Sequence, residues 1–66
     1  MIEPAFKPTV KLIGKDGNAF AILGSVKKAL LKAGADKEYV SKYMEEAMAG
    51  DYDNLLSVTM DYVHVT

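Results

Sequence analysis

Two short segments carry residue types that hold ligands in other proteins. Gly14-Lys15-Asp16-Gly17-Asn18 lies between an apolar run and an alanine-rich stretch. A glycine loop that opens a helix presents unsatisfied N–H groups, and these attract phosphate. The details do not match a phosphate cradle. A Walker loop needs Gly-x-x-x-x-Gly-Lys-Ser/Thr, and a dinucleotide loop needs Gly-x-Gly-x-x-Gly. Here there are two glycines, and Asp16 stands where phosphate would sit. The expectation is a tight turn followed by a helix cap. Asp51-Tyr52-Asp53-Asn54 has the opening of a calcium loop. Such a loop would continue with Asp or Asn at 55, Gly at 56 and Glu near 62. The chain has Leu55, Leu56 and Tyr62 instead. Asp51 therefore reads as a cap, with Asp53 in a first helical turn that the dipole favours.

The remaining chemical groups do not assemble into a reaction centre. A catalytic His64 would need a nucleophile and an orienting acid within reach. Ser25, Ser41 and Ser57 fall in predicted helices, without the strained Gly-x-Ser-x-Gly elbow. His64 is expected on a solvated strand. Glu45 and Glu46 are adjacent on a helix, so they point about 100° apart and make a poor acid–base pair. With no cysteine and one histidine, disulfides and a Cys- or His-rich zinc site are excluded. No metal and no cofactor is expected, and no enzyme activity.

Lys27, Lys28 and Lys32 form the candidate surface for nucleic acid, with Lys7, Lys11 and Lys15 possible neighbours. Phosphate contact needs only such charges. Base readout leans on arginine, and the chain has none. The sequence pI is about 5.7, far from the basic values of nucleic-acid-binding domains. Nucleic acid is thus the alternative partner, not the leading one.

These groups must be positioned by a single small domain spanning 1–66. Pro4 and Pro8 oppose helix, so residues 1–8 read as a loose arm. Thr9 to Ile13 suits a short strand, with Val10 and Leu12 on one face. Asn18 is placed to cap a helix. Ala19, Ile22, Leu23, Val26, Ala29, Leu30 and Ala33 then recur at spacings of three and four. Gly34 is placed to end that helix. Asp36 caps a second helix, with Tyr39, Val40, Tyr43, Met44, Ala47 and Met48 as its apolar side, ending at Gly50. Asp51 caps a third, with Tyr52, Leu55, Leu56, Thr59, Met60 and Val63 inward. The tail from Tyr62 to Thr66 alternates again and is a candidate strand to pair with the first. The fold class expected is α+β: one N-terminal strand, three helices and a C-terminal strand. Asp16-Gly17 is also a hairpin signal, which would make Ala19 to Leu23 a strand. The helix is preferred because its stripe continues to Ala33, too far for a strand.

A domain of 66 residues buries only about 60% of the surface its unfolded chain exposes, so it needs a dense core or self-association. Half the residues are hydrophobic, which suits either. Residues 1–34 carry six lysines against Glu3 and Asp16, net +4, while 35–66 carry two lysines against seven acids, net −5. The two halves either compensate within the fold or orient the molecule on a partner. No run of 18 apolar residues could span a membrane. The first residues lack the basic-then-apolar order of a signal peptide, and the cytoplasm is the expected compartment.

Residues Lys11 to Gly24 and Glu46 to Leu56 resemble a group of short uncharacterised proteins from bacteria and their phages. The shared segments are Gly-x-Asp-Gly-Asn-Ala-Phe, here Gly14 to Phe20, and Gly-Asp-Tyr-Asp/Asn-x-Leu-Leu, here Gly50 to Leu56. The similarity extends over nearly all of the chain beyond residue 9. It implies a prokaryotic or mobile-element origin and no assigned activity. Relatives often carry arginine where this chain has Ser25, which removes a positive charge here. The function expected is that of a non-enzymatic interaction or accessory protein, self-associating through Tyr39, Tyr43, Met44 and Tyr52. Its partner would be itself or another protein, with no membrane.

Overall fold

The alanine-rich stretch folds as a helix, not as an arm of a hairpin. In the computed structural model, which describes residues 1–11 and 19–66, helix α1 runs Ala19–Lys32. It buries Ile22, Leu23, Val26 and Leu30, the expected stripe at spacings of three and four. Complete burial of Val26 and Leu30 stabilises the fold by roughly 1.5–3 kcal/mol each. The expected cap Asn18, the turn before it and strand residues Leu12 and Ile13 lie outside the described residues.

Gly34 stops α1 by turning left-handed, with φ 105°. Its N–H donates to the Leu31 carbonyl at 3.1 Å, and the Ala35 N–H donates to the Leu30 carbonyl at 3.0 Å. This pair of bonds is the Schellman closure, and the buried Ala35 and Leu30 supply the apolar contact that accompanies it. Two residues later Asp36 opens α2, Lys37–Ala47, by accepting the Tyr39 N–H on its carboxylate at 2.9 Å. Asp51 repeats the device for α3, Tyr52–Tyr62, accepting the Asn54 N–H at 3.0 Å. Both caps satisfy N–H groups that a helix start leaves without intrahelical partners.

After α3 the chain returns beside its first strand. Strand β2, His64–Val65, pairs parallel with β1, Thr9–Val10, in the register Thr9 opposite His64 and Val10 opposite Val65. The pairing is parallel because three helices carry the chain back across the domain before it pairs. A ribbon this short is weak by itself; Val10 and Val63 anchor it in the core. The fold is α+β, a two-stranded sheet and three helices around one apolar centre.

Residues 1–8 form no helix or strand, yet backbone bonds fasten them over the α1–α2 connection. The Ala5 N–H donates to the Ala33 carbonyl at 2.9 Å, and the Asp36 N–H donates to the Ile2 carbonyl at 3.1 Å. The Ile2 N–H returns to the free oxygen of the Asp36 carboxylate at 2.9 Å. Asp36 thus holds a helix start and the arm together. The Tyr39 N–H, and after it the Ile2 N–H, hold its carboxyl below the ordinary value of 3.8.

Two apolar sides differ from their sequence reading. On α3 the buried residues are Leu55 and Thr59, with Leu56, Val58 and Tyr62 half-buried; Met60 is exposed. Met60 lies five residues beyond Leu55, about 140° around the helix. On α2 the buried residues are Val40, Tyr43 and Ala47. Met48 follows the last helical residue and is exposed.

Candidate functional site

The tyrosines expected at an interface are largely committed to the α2–α3 packing. Tyr43 is 0% exposed and bonds hydroxyl to hydroxyl with buried Thr59 at 2.8 Å. This corrects its assignment as a contact residue: its whole side chain is core. Tyr39, Tyr43 and Glu46 share one stripe of α2, and Tyr62 of α3 meets all three. The Tyr62 ring lies edge-on to Tyr39 at 5.5 Å and to Tyr43 at 5.1 Å between centroids, the T-shaped geometry that ring quadrupoles favour. Its hydroxyl donates to the Glu46 carboxylate at 2.9 Å. Tyr39 and Met44 are half-buried against the core.

This cluster makes stability sensitive to base. Burial first, and then the bond to the Glu46 carboxylate, push the Tyr62 hydroxyl well above its ordinary value of 10.0. Burial also raises Tyr39 and Tyr43, in Tyr43 partly offset by the Thr59 bond. A group with a raised folded pKa keeps its full contribution below the unfolded pKa and loses it as pH climbs toward the folded one. The urea midpoint should therefore hold up to about pH 9 and fall by about pH 11. Tyr62→Phe should flatten part of that fall, and an unchanged midpoint across this range would contradict the assignment.

One apolar groove, about 310 Å³, opens between the start of α1 and the α2–α3 turn. Leu23 and Leu55 form its floor, and Phe20, Met48 and Tyr52 stand at its walls. These three are 79%, 55% and 42% exposed. Among the described residues Asp51 is the charged one on its rim, and its carboxylate is engaged on the Asn54 N–H. Of the four expected contact residues, Tyr52 is the one that belongs to this surface.

The lysines of α1 divide between two faces. Lys28 and Lys32 converge with Lys11 on an open groove of about 570 Å³ between β1 and α1, with Thr9 and Ser25 beside them. Lys27 instead lines a separate groove of about 320 Å³ with Leu31, Lys37 and Met44. Neighbouring helix positions diverge by about 100°, so Lys27 and Lys28 never form one patch.

The other candidates serve the fold or face solvent. Asp51 caps α3, and Asp53 is exposed in its first turn. His64 is exposed on β2, and Glu45 is exposed on α2. Among the described residues, no three His, Asp or Glu side chains gather where they could hold a metal ion. No helix among them is long and apolar enough to cross a membrane.

Methionine at position 48 suits an interface by its type alone, whereas Phe20 entered no sequence expectation of exposed apolar surface, although a signal was present. Phe20 sits one position past Ala19 and off the 19-22-23-26 stripe, which predicts an outward ring. Ser25, Lys28, Ala29 and Lys32 likewise share one stripe of spacing three and four. Comparison with family models, curated proteins and solved structures found no match for the chain.

Proposed function

We propose that this chain is a small non-enzymatic interaction protein that associates with itself through the surface of Phe20, Met48 and Tyr52. It would act as an accessory or regulatory factor in the cytoplasm of a bacterium or phage-infected cell. The observation that carries the reading is the apolar groove whose walls are these three exposed side chains. Methionine and aromatic rings give adaptable contact area and are enriched at protein interfaces. A second copy is a fitting occupant, because a two-fold contact places the same patch on both sides. Among the described residues the one rim carboxylate, Asp51, is already engaged in capping, so these parts of two such patches can meet with little charge repulsion.

Sedimentation equilibrium tests this. Association should appear between about 10 and 500 µM, the range of a modest interface. Met48→Lys and Tyr52→Lys should each shift the population to monomer without lowering the thermal midpoint measured at dilution below the association range, since both side chains are exposed. A monomer throughout that range would sink the proposal.

A further inference from the structure

The groove between β1 and α1 combines two features that self-association does not use. The first is an open strand edge. The Pro8 and Val10 carbonyls accept from the His64 and Thr66 N–H groups at 2.8 and 3.0 Å. Backbone polar groups of successive strand residues point to opposite sides. Thr9, which lines the groove, therefore turns its N–H and C=O away from β2, to the outer edge of β1. Among the described residues no other strand pairs with that edge. The second feature is charge: Lys11 from the strand side and Lys28 and Lys32 from the helix side face the same space.

We infer that this groove binds an extended acidic peptide, which adds as a third strand to the outer edge of β1 and sets its carboxylates against Lys28 and Lys32. An edge supplies main-chain bonds in such recognition, and side-chain pockets supply selectivity. The spacing fits. Residues four apart on a helix are about 6 Å apart along its axis, and alternate residues of a strand are separated by about 6.8 Å. A peptide with an acid at every second position thus meets both lysines. A second copy of this chain is a poor source: among the described residues Glu38, Glu45, Glu46, Asp53 and Asp61 lie on helices, Asp36 and Asp51 cap them, and Glu3 stands alone on the arm, so no extended segment carries acids at alternate positions. Nucleic acid fits less well too. No aromatic ring lines the groove on which a base could stack, and residues 35–66 carry net −5.

The test titrates the whole chain with a fluorescent peptide alternating Glu and Val, at low salt. Saturable binding below about 1 mM is expected. The double variant Lys28→Glu/Lys32→Glu should weaken it by roughly tenfold or more. Thr9→Pro deletes the outward N–H and leaves the β1–β2 bonds, which use Pro8 and Val10; it should also abolish binding, with the thermal midpoint held. Three results would each overturn the proposal: no binding, undiminished binding to Thr9→Pro, or equal affinity for a thymidine oligonucleotide of matched charge. Met48→Lys should bind the peptide normally, so a failure of self-association and a failure of this groove are read separately.

Discussion

Replacing Tyr43 by alanine should leave most of the chain unfolded at room temperature. Truncating a buried aromatic costs about 3–5 kcal/mol. A domain of this length holds only roughly 3–10 kcal/mol in total. Tyr43 is fully buried, its ring meets Tyr62, and its hydroxyl meets Thr59, so no solvent can refill the space cheaply. The hydroxyl pair gives a finer experiment on folded protein. Tyr43→Phe leaves the Thr59 hydroxyl without its partner, and Thr59→Val does the same to the phenol; each should cost about 1–3 kcal/mol. With both changes no polar atom of the pair is stranded. The double variant should therefore lose less than the sum, by on the order of 1 kcal/mol in a urea denaturation cycle. Strict additivity would mean the two hydroxyls are satisfied independently.

The fate of Tyr43 also marks how far sequence reasoning reaches. Capping is local, so Asp36, Asp51 and the stop at Gly34 were legible from a few residues each. The α1 stripe was legible because seven apolar positions follow one period. The apolar arc of α2 is another matter. It runs from Tyr39 through Val40, Tyr43 and Met44 to Met48, wider than any one neighbour can cover. Periodicity names the arc and not the sector that faces inward. Packing against α3 decides that, and it places Tyr43 inward and Met48 outside. The arm was illegible for a related reason. Two of its bonds, Ala5 to Ala33 and Asp36 to Ile2, run between backbone groups, which leave no trace in side-chain pattern, and the third uses an Asp36 carboxylate that capping alone already accounts for. The lysine groove lies between these cases: the Ser25-Lys28-Ala29-Lys32 stripe is periodic, but only the packing of α1 back alongside β1 brings in Lys11.

Gly50→Ala should destabilise the chain by about 1–2 kcal/mol, against the usual sign for such a change. Gly50 does not adopt positive φ. At such a position alanine ordinarily stabilises by about 0.4–1 kcal/mol, because it restricts the unfolded chain. Here a Cβ would stand 2.9 Å from the Cβ of Asn54 and 3.1 Å from its Cγ, and overpacking of that kind costs about 1–3 kcal/mol. Asn54 cannot retreat without loss. Its N–H is held by Asp51, and its side-chain amide donates to the Glu46 carbonyl at 2.9 Å, closing the end of α2. One residue thus joins the end of one helix to the start of the next, and the missing side chain at Gly50 lets it do so. In an Asn54→Gly background the obstacle is gone, and Gly50→Ala should become neutral or stabilising. A penalty that persists there would locate the strain elsewhere. Because Met48 and Tyr52 flank Gly50 in the same apolar groove, Gly50→Ala should also weaken the proposed self-association while Asn54 keeps its side chain. The turn that closes α2 and opens α3 is then the same element that shapes the apolar groove.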